Sequence, residues 1–204
     1  METVRKSNKH FKLYSINECP NIDDIIRKFN SDNDKIDNFF KEKIIDFEKD
    51  RRLKTFVLLD CSKNTIVGFF SSTVGKLEGT VKNDDGTESI AYPYINLAYF
   101  AVDRNYQSKG IGRALMMQFF SMCMVISLYT GITLVYLESV DTSTSFYTKL
   151  GYNFVDKKLT PEIYERNGID TRNLKFPMIR YISDLAKGGH IPYSAHVLPI
   201  DVIH

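Results

Sequence analysis

At 204 residues the chain is long enough for one domain with a full core and short for two. Its 43% hydrophobic and 13% aromatic content is that of an ordinary globular protein, and a net charge of +2 is too slight to mark a large nucleic-acid footprint. Cys19, Cys61 and Cys123 form no CxxC pair, an odd count that suits reduced thiols better than a disulfide framework or a zinc site, so no metal is expected.

The first residues, METVRKSNKHFKLY, lack the apolar stretch of a signal peptide, which predicts a cytoplasmic protein. Phe11 to Ile16 alternates as a first strand. Helical spacing follows at Ile22, Ile25, Ile26 and Phe29, and then at Ile36, Phe39, Phe40, Ile44 and Phe47, predicting two amphipathic helices, the second capped by Asp34 or Asp37. Lys49, Arg51, Arg52 and Lys54 read as a solvated helix end. Thr55 to Leu59 and Thr65 to Val74 read as strands, and Asn83-Asp84-Asp85-Gly86 as the turn of a polar hairpin arm between Thr80-Val81 and Ser89-Ile90.

A strand over Ile95 to Val102 then meets a turn carrying Gln107, Ser108, Lys109, Gly110, Ile111, Gly112 and Arg113, from which a helix departs. Such a turn aims unpaired N–H groups outward beside the positive end of a helix dipole, and its glycines let an anion meet bare backbone. Lys109 and Arg113 flank it, so a pyrophosphate is the expected guest. A P-loop would need Lys and Ser/Thr after its last glycine, where Arg113 and Ala114 stand. The dinucleotide fingerprint asks for glycine or alanine where Leu115 stands, and for an acid about twenty positions on, and Glu138 lies somewhat too far along.

From Ala114 to Leu137 no residue is charged, a span of membrane-crossing length. Gln118, Ser121, Ser127, Thr130 and Gly131 interrupt it, and Gly131 reads as a helix stop, so the expectation is a helix to Tyr129 packed on a sheet, then an inner strand over Ile132 to Ser139, with no membrane contact. A short helix from about Thr142 to Leu150, capped by Asp141 and stopped by Gly151, precedes two last strands, Phe154 to Leu159 and Met178 to Ile182, joined by a long polar connection. The tail from Ser183 reads as an extension that wraps the domain or bridges to a second copy, leaving a homodimer open, and its His190, His196 and His204 as surface histidines.

Gln107-Ser108-Lys109-Gly110-Ile111-Gly112 resembles the Gln/Arg-x-x-Gly-x-Gly/Ala signature of GNAT N-acetyltransferases, and Tyr147-Thr148-Lys149-Leu150-Gly151-Tyr152 resembles that family's Tyr-x-lysine-x-glycine-aromatic segment. The resemblance implies an α/β fold, one domain over residues 1–182 with a mixed, mostly antiparallel sheet flanked by helices, and a C-terminal extension over 183–204. It implies acetyl-CoA as acetyl donor, with the pyrophosphate on Gln107 to Arg113 and the pantetheine along Phe100, Ala101 and Val102. Transfer to a primary amine of a small molecule or peptide would be direct, in a ternary complex, with Tyr147 as general acid to the CoA thiolate. The oxyanion donor would be a backbone N–H near Val102.

Glu138 is the carboxylate placed to act as base, or else a salt-bridge partner at the strand end. A base is dispensable for some acceptors. A lysine amine with pKa near 10.4 is neutral about once in two or three thousand molecules at pH 7, whereas an α-amine near 7.8 is neutral about once in seven. The order of elements also resembles the GNAT branch that includes toxins of toxin–antitoxin pairs, which implies a transfer-RNA aminoacyl group as acceptor and an antitoxin as partner. A non-catalytic acyl-CoA-binding module is the third reading.

Overall fold

The computed structural model describes residues 10–83 and 86–188. Seven strands form one mixed sheet, β1 (Phe11–Ser15), β2 (Lys54–Asp60), β3 (Thr65–Asn83), β4 (Gly86–Val102), β5 (Leu134–Ser139), β6 (Asn153–Phe154) and β7 (Phe176–Tyr181), in the order β1-β2-β3-β4-β5-β7-β6. The helices are α1 (Ile22–Ile25), α2 (Asp34–Glu42), α3 (Ile44–Lys49), α4 (Ile111–Ser127), α5 (Asp141–Lys149), α6 (Pro161–Arg166) and α7 (Ile182–Lys187). Among the described residues, no helix is long and apolar enough to cross a membrane. The chain divides into two compact units, one holding residues 10–72 and 99–119, the other 73–98 and 120–188.

In the first unit, β1 pairs antiparallel with β2 and β2 with β3, and their inward residues Val57, Leu59, Ile66 and Phe69 meet Ile25, Ile26, Phe29, Phe40 and Ile44 from the helices. Aromatic rings set the fit. Phe40 stacks on Phe69 at 3.8 Å between centroids and Phe39 on Tyr99 at 4.0 Å, contacts that add to the area they bury. Gly68 is where the packing is tightest: a Cβ there would stand 2.8 Å from the carbonyl oxygen of Ala101 and 3.2 Å from a Leu115 methyl, so only glycine lets β3 lie this close to β4 and α4.

In the second unit, β5 runs parallel to β4 over Tyr94–Leu97 and antiparallel to β7, which also pairs with β6. β4 runs past its pairing with β5 to Val102. Phe120, Cys123, Val135, Leu137, Tyr152, Phe176, Met178 and Leu185 are among the buried residues of this half.

Several expectations are corrected. The second amphipathic helix is two, α2 and α3, broken at Lys43. Its cap is neither Asp34 nor Asp37 but Asn33, whose side chain accepts from the Ile36 N–H at 3.2 Å; Asp37 is buried and accepts from the Ser31 N–H and hydroxyl instead. All four residues of the basic cluster are exposed, as a solvated helix end is, while Lys54 also pairs with buried Glu48 at 2.6 Å and Arg52 lies over the Phe47 ring. The expected hairpin arm is the outer part of β3 and β4; what is corrected is the stop at Val74, since β3 runs unbroken from Thr65 to Asn83. Tyr94 and Tyr92 lie over Gly75 and Gly79 across the pair, rings filling the space that missing side chains leave. Asp84 and Asp85 of the proposed turn, and His190, His196 and His204, lie outside the described residues.

The strand expected over Phe154 to Leu159 shrinks to Asn153–Phe154, because Asp156 turns the chain by accepting from the Lys158 N–H at 2.8 Å. The connection after it contains α6, started by Pro161. Asp141 is not a cap but the first residue of α5, and its carboxylate accepts from the Thr171 hydroxyl.

Candidate active site

The turn between β4 and α4 belongs to the first unit. β4 ends at Val102, Arg104–Tyr106 make a single 3₁₀ turn, and α4 starts at Ile111. Gly110 sits at φ +81°, with open space around the position of a Cβ, and Ser108 also adopts a left-handed φ of +58°, uncommon for a residue with a side chain. Gly112 lies within the first turn of α4. Among the described residues, no hydrogen bond takes up the backbone N–H of any residue from Gln107 to Arg113; the first such bond is Ala114 N–H to Gly110 O, at 3.0 Å. Those donors stand at the positive end of a seventeen-residue helix with no acid in its first turn.

Side chains hold this turn from below. The Gln107 amide donates to the carbonyls of Ser31 and Val102, both at 3.0 Å, so Gln107 ties the loop down rather than facing outward. Lys109 donates to the Asn105 carbonyl at 2.6 Å and lies near the Tyr106 ring. Arg113 is exposed, with no ion pair among the described residues. Two buried carboxylates were not singled out from sequence. Asp103 accepts from the N–H groups of Asn30 and Asn105 and from the Asn105 amide. Asp60 accepts from the Tyr106 and Ser62 hydroxyls, at 2.9 and 2.6 Å. Burial would raise the Asp60 carboxyl, but the bonds from Ser62, Tyr106 and the Lys63 N–H outweigh it and hold it below the ordinary aspartate range. Asp103-Arg104-Asn105 could have been read as an Asx-type turn; nothing local marks Asp60.

Ala101 and Val102 are buried and Phe100 is half-buried. The Val102 carbonyl is already an acceptor for Gln107.

Tyr147 and Glu138 belong to the second unit. Tyr147 lies in the last turn of α5, where its own carbonyl accepts from the N–H groups of Leu150 and Tyr152, and Gly151 at φ +81° closes the helix in the left-handed cap conformation. The Tyr147 ring meets Phe146 and Tyr152 edge-on, at 5.1 and 5.8 Å. Burial pushes its phenol above the usual value, so it is protonated at neutral pH. Glu138, at the end of β5, is exposed and doubly engaged: Lys175 pairs with it at 3.1 Å and the Tyr136 hydroxyl donates to it at 3.3 Å. The salt-bridge alternative for Glu138 is therefore the geometry observed. Among the described residues, no group of three or more His, Cys, Asp or Glu could hold a metal ion.

A family model described as an acetyltransferase (GNAT) domain matches residues 52–154, which include the β4–α4 turn and Tyr147. No curated protein matches the chain. Similar solved structures include a bacterial toxin (TM-score 0.70, 20% identity, 91% of this chain and 97% of that one). Another is AtaTR bound with acetyl-CoA (0.69, 15%, 88% and 98%). A third is AtaT complexed with acetyl-methionyl-tRNAfMet (0.66, 13%, 88% and 99%). At these identities the likeness is one of fold.

Proposed function

The chain belongs to the GNAT family of acetyl-CoA-dependent N-acetyltransferases, and on that premise we propose that it transfers acetyl directly to an α-amine, with Tyr147 as the acid that returns a proton to the CoA thiolate. The observation that carries this reading is the run of unpaired N–H groups from Gln107 to Arg113 at the head of α4, which fits the pyrophosphate of the donor. Gly110 leaves the backbone bare at that point, and Lys109 and Arg113 add positive charge. Bound acetyl-CoA supplies the activated acyl group; the residues of this chain orient it and move the proton.

Residue by residue, the division of labour follows from the environments. Gln107, Asp103 and Asp60 fix the turn. Tyr147, protonated at neutral pH as a phenol is, gives its proton as the carbon–sulfur bond breaks, and the proton shed by the attacking nitrogen restores it. Glu138 is held by Lys175, which leaves no side-chain base assigned and favours an acceptor whose amine is already neutral in useful amount.

Among α-amines, the aminoacyl group of transfer RNA is the acceptor we favour. AtaT, complexed with acetyl-methionyl-tRNAfMet, shares the fold over 99% of its own length. An antitoxin partner belongs to the same reading. The alternative acceptor, a free amine or peptide, keeps the same donor site. Incubating the protein with labelled acetyl-CoA and either bulk aminoacylated tRNA or methionine amide separates them. Label on the aminoacyl end, lost by about 10²-fold or more in Tyr147→Phe, is expected; label on methionine amide alone would transfer the assignment to the second reading.

A further inference from the structure

The second unit carries a sheet edge that the chemistry above does not use. β2 pairs with β3 only as far as Lys54 opposite Ser72, while β3 runs on to Asn83. Among the described residues, no strand lies against the outer side of β3 from Thr73 onward. The matching stretch of β4, ahead of its pairing with β5 at Tyr94, shows how such an edge is closed. Pro93 points its carbonyl outward to the Thr133 N–H at 3.0 Å and has no N–H of its own to offer a further strand. β3 has no proline between Thr73 and Asn83, so its outward N–H and C=O groups are a template for another strand. A two-stranded ribbon is marginal in water on its own, which favours such an addition.

The sequence of that edge is self-complementary. Exposure alternates along it: Val74, Lys76, Glu78 and Thr80 are exposed on one face, and Gly75, Leu77 and Gly79 are half-buried on the other. Turned end for end about Leu77, the strand meets its own match, with Lys76 opposite Glu78, Gly75 opposite Gly79 and Val74 opposite Thr80. Centring on Lys76 or Glu78 instead sets like charges directly opposite one another, which destabilises an antiparallel pair. The rings of Tyr94 and Tyr92 already fill the space over Gly75 and Gly79, leaving Leu77 to meet its counterpart. Within one chain Lys76 and Glu78 pair with each other at 2.9 Å, but with 66% and 68% of their side chains exposed that pair is weak and readily exchanged.

We propose that this edge is a dimer interface, in which β3 of one copy pairs antiparallel with β3 of a second copy across a two-fold axis at Leu77. Lys76 then meets the partner's Glu78, and Glu78 meets the partner's Lys76, so one contact yields two equivalent ion pairs. Backbone hydrogen bonds over residues 74–80 join the two ribbons, and charge selects the register.

Analytical ultracentrifugation of the full chain at low salt tests this, with thermal unfolding to check that each variant folds. Wild type is expected at twice the chain mass of 23.5 kDa. Glu78→Lys and Lys76→Glu each set like charges at both pairs and should weaken dimerisation about tenfold or more. The double exchange Lys76→Glu/Glu78→Lys restores it. Leu77→Cys reads the register, made together with Cys61→Ser because Cys61 is exposed. Opposed residues stand about 4.5–5.5 Å apart at Cα, within disulfide reach, so oxidised glutathione links two chains through position 77 but not through Val74→Cys. Should Leu77→Cys not fold, the charge variants carry the test. A wild-type monomer, a dimer indifferent to both single charge reversals, or a dimer of folded Leu77→Cys that forms no link would overturn the inference.

Discussion

Gly110 and Asp60 show how single residues set the donor site. Gly110 has free space where a Cβ would go, so a substitution there meets strain rather than collision. Gly110→Val places a β-branched residue at φ +81°, which costs about 1–2 kcal/mol of stability, and it also puts methyl groups where the diphosphate must approach. Acetyl-CoA affinity measured by calorimetry is expected to fall about tenfold or more, and unchanged affinity in a folded sample would sink the anion-site reading. Asp60 makes a different prediction. Its folded pKa lies below its unfolded one, so the stability it contributes is present above about pH 4 and is lost as pH falls through the folded value. Asp60→Asn should therefore be less stable than wild type at pH 7, the gap narrowing below about pH 4 in denaturant titrations; a gap constant with pH would contradict the assignment.

At the scale of elements, the contact of β3 with β4 and α4 at Gly68 is the most exacting. Gly68→Ala drives a methyl into the Ala101 carbonyl, a backbone atom that cannot swing aside, and is expected to cost about 1–3 kcal/mol in chemical unfolding. Because Ala101 and Val102 lie on the same strand, acetyl-CoA binding should weaken as well. A neutral effect on both would mean the strands relax freely. Much of this element order was legible in the chain: the turn from Gln107 to Gly112, the helix after it and the inner strand β5 announce themselves by glycine placement and apolar runs. What stayed hidden did so for physical reasons. The break at Lys43 leaves the spacing of Phe40, Ile44 and Phe47 intact, so periodicity runs through it unmarked. The truncation of β6 depends on one Asp156 hydrogen bond, and α6 on a proline inside a polar stretch that reads as loop. At the site, motifs locate Gln107 and Tyr147 but not what holds them, since Asp60, Ser31 and Arg180 reach their partners from 46, 76 and 30 residues away.

For the whole molecule, ligand linkage gives the simplest check on the donor. Acetyl-CoA at 100 times its Kd should stabilise the folded chain by about 2.7 kcal/mol, which for a protein of this size is a Tm rise of about 5–10 °C. CoA lacking its diphosphate, as acetyl-pantetheine, should give little; equal shifts from both would place the affinity elsewhere. The footing of the donor turn also reaches well beyond the motif. Gln107 rests on the Ser31 carbonyl, Asp103 on the Asn30 N–H, and Asp37 secures Ser31 in turn. A random-mutagenesis screen for loss of acetyl transfer would consequently return lesions clustered at positions 30, 31 and 37, in clones whose glycine signature is untouched and whose defect, on purification, is a raised KM for the thioester.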